Sequence, residues 1–217
     1  MLARLGAQDR GDLIALGRPR RYPPGRVLFA QGDRSNHVVL ITSGTVKVFC
    51  TTEDGREPLL GMRHEGDLVG ELAAIDDTGE VRGATVVARG QVMAQEIGAA
   101  EFRSYLESHP AAAMELLRMV VARLRTSDRR RVEFGGFETT ARLAHLLAEL
   151  ADDQRAEAGG DIEIPFSQEE LGSMVGASRE SVARALVRLR AEGLLETRRR
   201  GVALLDVEAL RRHGRLP

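Results

Sequence analysis

Phe166-Ser-Gln-Glu-Glu-Leu-Gly-Ser-Met-Val-Gly176-Ala-Ser178-Arg-Glu-Ser-Val-Ala-Arg184-Ala-Leu-Val-Arg-Leu-Arg190 carries two helix patterns joined by a turn. Ser167 followed by Glu170 has the spacing of a capping box, and Phe166 with Leu171 can form the hydrophobic staple around it, so a helix starts there. Leu171, Met174 and Val175 give it an apolar face. Gly176 supplies a residue that turns the chain at positive φ, and Ser178 can cap a second helix whose Val182, Leu186 and Leu189 share one side. Arg179, Glu180, Ala183 and Arg184 lie on the opposite side, with Arg188 at its edge. Charged groups near the N-terminal end of an outward helix surface are what a helix-turn-helix presents to base edges in the major groove.

This segment resembles the DNA-binding motif of the cyclic-AMP receptor protein and FNR family of bacterial transcription regulators. Within it, Ser178-Arg179-Glu180-Ser181-Val182-Ala183-Arg184 is similar to the family's recognition helix. Arg179, Glu180 and Arg184 match the base-reading residues by type and spacing. Arginine donates two bonds to guanine O6 and N7, and glutamate accepts from cytosine N4. The resemblance implies half-sites related to TGTGA. It also implies that Ser167, Gln168, Ser178 and Ser181 stand at the DNA with those three.

The chain has 217 residues, 43% hydrophobic and 29% charged, with a net charge of −1. These are ordinary values for a globular protein of one large domain or two modest ones. Near neutrality does not exclude nucleic acid as a partner, because the placement of charge matters more than its total. Arg179, Arg184, Arg188 and the run Arg198-Arg199-Arg200 all fall in the last quarter of the chain. Cys50 is the only cysteine, which leaves no disulfide and no cysteine cluster for zinc or iron–sulfur. The N-terminus lacks the apolar core of a signal peptide, and no run of about 18 apolar residues occurs, so the reading predicts a cytoplasmic protein without a membrane partner. The histidines, His37, His64, His109, His145 and His213, are scattered without a nucleophile or metal spacing, which argues against an enzyme.

Along the chain, residues 9–16 can form a short amphipathic helix. Residues 20–97 change to short β-branched runs at 26–29, 37–41, 45–49, 58–60, 84–88 and 91–93, with glycines between them. That pattern predicts an antiparallel sandwich or barrel, a β-roll by the resemblance. A helix over residues 99–106 ends before Pro110. Residues 111–132 lack Gly and Pro and place Leu117, Val121 and Leu124 at heptad-like spacing, with Val120 alongside. A seam this narrow suits a coiled-coil homodimer, and two-fold symmetry is what a protein reading a palindromic operator needs. Asp128 and Arg131 interrupt the seam. Gly135-Gly136 then reads as a hinge. Residues 137–156 form another amphipathic helix, residues 158–161 a loop and residues 162–164 a short strand. Residues 193–205 read as two strands turning at Arg200-Gly201, a wing whose Arg199 and Arg200 lie on phosphates. The predicted fold class is α+β: an N-terminal antiparallel β-roll sensor domain (1–110), a long dimerisation helix and hinge (111–136), and a C-terminal winged helix-turn-helix domain (137–217).

A second stretch, Gly66-Asp-Leu-Val-Gly70-Glu71-Leu72-Ala-Ala74 with Arg82-Gly83-Ala84-Thr85, resembles the phosphate-binding cassette of cyclic-nucleotide-binding domains. Arg82 can pair its planar guanidinium with a cyclic phosphate, Glu71 can accept from a ribose hydroxyl, and Gly70 lets backbone approach the anion. The competing reading is a structural Arg82–Glu71 ion pair with no ligand. Gly83 stands where the family has Ser or Thr, removing a hydroxyl donor; Thr85 lies one pleat away on the same face. By the resemblance, Ser127 and Asp128 touch the nucleobase, one from each subunit. Asp128 leaves two readings: it accepts from the amine of a base, or it pairs with Arg131 and the pocket is degenerate. The resemblance thus implies a homodimeric, DNA-binding transcription regulator with a cyclic nucleotide as effector, cyclic AMP first and cyclic GMP second. It also implies RNA polymerase as a partner and no metal. The alternatives are a regulator active without effector, a haem-based sensor using His64 or Met62, and an enzyme's regulatory subunit.

Overall fold

The computed structural model of the chain describes residues 1–217 except 54, 56, 77–80, 156–161, 200 and 215–217, and leaves aside the side chains of 130–135 and 153–155. The chain forms two compact units, Met1–Arg125 and Thr126–Pro217. No helix among the described residues is long and apolar enough to cross a membrane.

The first unit opens with a single 3-10 turn, Leu2–Arg4, and helix α1 (Ala7–Ala15), whose Leu13 is fully buried. Eight strands follow: β1 (Arg18–Tyr22), β2 (Val27–Phe29), β3 (Val38–Ser43), β4 (Val46–Phe49), β5 (Leu59–Arg63), β6 (Leu68–Val69), then, after the short helix α2 (Glu71–Ile75), β7 (Thr85–Ala88) and β8 (Val92–Ile97). They pair antiparallel into two sheets, ordered β1-β8-β3-β6 and β2-β7-β4-β5. The alternation in β3 explains how these layers stack. Val39 and Ile41 join Phe29, Val46, Val86 and Ala88 of the other sheet in one core, whereas Val38 and Leu40 point the other way into a second core with Leu13, Phe102 and Tyr105. A strand buried on both faces must read as a continuous apolar run, and Val38-Val-Leu-Ile41 does. Helix α3 (Ala99–Ser108) covers the second core, and α4 (Pro110–Gly136) follows at once. Pro110 does not merely stop α3. It is the first residue of α4, where its missing N–H costs nothing and its fixed φ favours the helix.

Ala112 and Leu116 of α4 are buried in the second core, while Leu117 and Leu124 are 55% and 58% exposed and Val120 and Val121 half-buried. The predicted seam is therefore an uncovered apolar row in the single chain. Gly136 ends α4.

The second unit contains α5 (Thr139–Arg155), β9 (Glu163–Ile164), α6 (Gln168–Val175), α7 (Arg179–Ala191), β10 (Leu195–Arg198), β11 (Gly201–Leu204) and α8 (Val207–His213). The three strands make an antiparallel sheet, β10-β11-β9, with Arg198 opposite Gly201 at the hairpin. α5 packs on α6, α7 and α8 through Leu143, Leu147 and their neighbours, all buried. The predicted loop at 158–161 and part of the 137–156 helix lie outside the described residues.

Strands β1 and β6 and helices α2 and α8 had no counterpart in the sequence pattern. β1 is an exposed edge strand of sequence Arg-Pro-Arg-Arg-Tyr, with no apolar alternation, and β6 and α2 are too short to show a period.

The docking of α7 has a direct test. Leu186 is 2% exposed and Val187 is 58% exposed. Replacing Leu186 by Ala is expected to lower unfolding free energy by about 2–5 kcal/mol. Val187→Ala is expected to stay within about 0.5 kcal/mol. Urea unfolding followed by circular dichroism distinguishes the two.

Candidate effector and nucleic-acid sites

In the first unit the cassette residues converge on Arg82. Its side chain is 2% exposed and lies 4.1 Å from the centre of the Phe29 ring. Nε donates to Ser35 Oγ at 3.2 Å, Nη1 to the Gly70 carbonyl at 2.9 Å and Nη2 to the His37 carbonyl. Three of its five N–H donors are thereby used, all on neutral acceptors. Burial pushes the guanidinium below its ordinary pKa, and Asp33 and Glu71 offset this only through space. Among the described residues no carboxylate bonds to it.

The Arg82–Glu71 ion pair of the competing reading is absent. Glu71, 3% exposed as the first residue of α2, is bonded instead by Arg123 of α4 through Nη1 to Oε1, while Arg123 Nη2 donates to the Leu68 carbonyl at 2.8 Å. Arg123 was not singled out from the sequence; its only signal there was a cation in the helix after the cassette. Gly70 caps α2 at φ 82°, and a Cβ on it would stand 2.6 Å from Arg82 Nη1 and 2.9 Å from the His37 carbonyl. Glycine is needed here for both backbone conformation and space. Leu72 is 64% exposed beside it, and Ala84 is half-buried.

Gly83 is exposed, has no positive φ, and has nothing within 4 Å of where a Cβ would stand, so a serine would fit without displacement. Thr85 Oγ1 accepts from the Gln31 amide at 3.0 Å, leaving only its own O–H to donate. Ser127 and Asp128 are exposed residues of α4 in the second unit. Arg131, the pairing partner considered for Asp128, has its side chain outside the described residues. His64 Nδ1 lies 3.3 Å from Thr45 Oγ1, and its backbone amide donates to Asp67.

In the second unit the capping box forms as expected: Ser167 Oγ accepts from the Glu170 amide, and the Glu170 carboxylate accepts from the Ser167 amide at 2.8 Å. Gly176 closes α6 at φ 63°, and Ser178 Oγ accepts from the Ser181 amide to start α7. Val182, Ala185, Leu186 and Leu189 are buried, which turns Arg179, Glu180, Arg184 and Arg188 outward, all exposed. Arg184 Nη2 donates to Ser181 Oγ at 2.9 Å, which steadies its guanidinium one turn from the cap. Its own backbone hydrogen bond, then one from Ser178, holds Glu180 below the usual carboxylate range, so it stays an acceptor at neutral pH. Gln168 is half-buried, Ser167 and Ser178 exposed and Ser181 half-buried. On the hairpin, Arg198 is tied to Glu163 at 3.1 Å and Arg199 is exposed; Arg200 lies outside the described residues.

Residues 19–109 match the cyclic nucleotide-binding domain family, and residues 141–213 match the Crp-like helix-turn-helix domain family. The chain is 30% identical over 199 residues to a CRP-like cAMP-activated global transcriptional regulator of Mycobacterium tuberculosis, covering 91% of this chain and 88% of that protein. It is also 30% identical over 176 residues to the cAMP-activated global transcriptional regulator CRP of Salmonella typhimurium, covering 81% and 83%. Among solved structures, it is similar to the c-di-GMP responsive global regulator CLP of Xanthomonas campestris, with a TM-score of 0.79 at 26% identity, covering 93% of this chain and all of that one.

The surroundings of Arg82 generate a pH prediction. Burial, and then Arg82 itself, holds the His37 imidazole below its ordinary value of 6.5. Below that value the unfolded chain takes up a proton that the folded chain resists, so this histidine lowers stability as pH falls and has no effect above it. Between about pH 7.5 and about pH 5.5, His37→Gln is expected to lose less stability than the unaltered protein in urea unfolding.

Proposed function

The chain belongs to the cyclic-AMP receptor protein and FNR family of transcription regulators, and we propose that it acts as a homodimer whose grip on a palindromic operator is set by a cyclic nucleotide. It is a DNA-binding regulator with a cyclic-nucleotide-binding domain, and not an enzyme. Cyclic AMP is the proposed effector, TGTGA-like half-sites the proposed target, and RNA polymerase the further partner.

The observation that carries the effector reading is the charge of Arg82. A buried cation whose bonds among the described residues go only to carbonyls and a hydroxyl keeps two N–H donors and a charge with no bonded carboxylate, which an anionic phosphate satisfies. Gly70 would let the phosphate approach, and Glu71 would turn its second carboxylate oxygen to the ribose while Arg123 keeps the first. Ser127 and Asp128 would meet the base. Effector binding would then bias the seam of Leu117, Val120, Val121 and Leu124, and a hinge at Gly135-Gly136 would let two recognition helices enter grooves roughly 34 Å apart. Ser167, Gln168, Ser178, Arg179, Glu180, Ser181 and Arg184 would then meet the groove. Arg199 and Arg200 would lie on phosphate.

A second reading, a regulator active without effector, is supported by two features: Gly83 withholds a hydroxyl from the phosphate, and Asp128 adds a carboxylate where the base would sit. Calorimetric titration with cyclic AMP and with cyclic GMP decides between them. Saturable binding that Arg82→Leu abolishes supports effector control. No heat with either nucleotide, together with intact operator binding, establishes the second reading instead.

Two further outcomes are expected. Gly83→Ser should tighten cyclic AMP binding by about tenfold, the worth of one added hydrogen bond to a charged group. In sedimentation velocity the unaltered protein should run at twice the chain mass and Leu117→Glu at the chain mass. A Leu117→Glu variant that remains dimeric would place the two-fold axis elsewhere.

A further inference from the structure

The outward surface of α7 is not wholly charged. Side chains four apart on a helix are neighbours, so this surface has two adjacent rows, Arg179–Ala183–Val187 and Glu180–Arg184–Arg188. Val187 is 58% exposed and Ala183 half-buried. The dock of α7 is complete without them: Val182, Ala185, Leu186 and Leu189 fill the buried side. A β-branched apolar group is thus left in solvent on the face that carries the base-reading arginines, flanked by cations. The surface that complements cations around a small apolar spot is a polyanion with apolar groups set into it. In the major groove of DNA that group is the 5-methyl of thymine, the one apolar feature by which an A·T pair announces itself there.

We propose that Ala183 and Val187 form a strip that receives a thymine 5-methyl group, making Val187 a specificity-determining residue of the helix. This rests on the reading of α7 as the element that meets base edges. Arg179, Glu180 and Arg184 read guanine and cytosine by hydrogen bonds; the strip reads a thymine beside them by contact. It separates thymine from cytosine, which has no methyl.

The test uses the full-length protein and a duplex that the unaltered protein selects from a random library. Each thymine of that duplex is replaced in turn by deoxyuridine, which removes only the methyl, and affinity is measured by fluorescence polarisation at fixed salt. At one thymine per half-site the unaltered protein should bind about fourfold more weakly after replacement, the worth of one buried methyl group. Val187→Ala should be insensitive to the same replacement. Selection by Val187→Ala should also lose preference for thymine over cytosine at that position and keep its guanine preferences. If no replacement weakens the unaltered protein, or if Val187→Ala remains equally sensitive, the strip does not read thymine. A Val187→Ala variant that changes oligomeric state and not methyl sensitivity would make the strip a protein contact and overturn the proposal. Arg184→Ala separates the two levels. If it leaves sequence preference intact, α7 is not the reader and both readings fall; if it relaxes preference while the methyl has no effect, only the strip falls.

Discussion

A buried guanidinium with no carboxylate bonded to it among the described residues is the constraint around which the cyclic-nucleotide-binding domain is built. Removing Arg82 from water is unfavourable, and the fold recovers only part of that through two backbone carbonyls, a serine hydroxyl and the face of Phe29. The two sheets, the left-handed turn at Gly70 and the bulk of Phe29 are arranged so that the charge stays where it is. A structural arginine would be expected to have a carboxylate partner, but Asp33 and Glu71 act on this one only through space, and Glu71 is bonded by Arg123. In the proposed function that charge is what an anion from outside would meet. In the proposed mechanism the same α2–α4 contact gives the site a mechanical output, because Arg123 belongs to the helix that carries the uncovered apolar seam.

The DNA-reading half follows a different logic, in which apolar burial positions charge. Val182, Leu186 and Leu189 fix the rotation of α7, and that rotation alone determines which residues face outward. Two serine caps and Gly176 fix where each helix begins and ends. Arg184 is steadied by Ser181, and hydrogen bonds from its own backbone amide and then from Ser178 hold Glu180 below the usual carboxylate range, so the proposed polar readers are set before any DNA arrives.

Much of this was legible in the sequence because its signals are local. The capping box, the turn glycine and the 3.6-residue period of α6 and α7 lie within a few residues of one another, and the structure has them as read. The β-roll was legible at the level of class, since β3, β4 and β7 are β-branched runs bounded by glycine. β1 was not, because a strand at a sheet edge with three arginines exposed has no alternation to detect. The site was legible in its residue types and not in its bonds. Nothing near Glu71 in sequence announces that Arg123, on a different element, holds it, and nothing near Arg82 announces that its partners are carbonyls of residues 37 and 70. Such pairings are products of topology. Val187 gives no signal for another reason: next to Leu186, an apolar residue is ordinary in a helix, and its exposure shows only once the buried side is seen to be full without it.

The central claim is that an anion at Arg82 controls the affinity of α7 for DNA. Its most direct measurement is the affinity for a selected operator duplex, by fluorescence polarisation at fixed salt, without and with saturating cyclic AMP. The account predicts tighter binding with the nucleotide by about five- to 150-fold, the usual range of coupling between two sites, and no such change in Arg82→Leu. Equal operator affinity with and without cyclic AMP and cyclic GMP would contradict it.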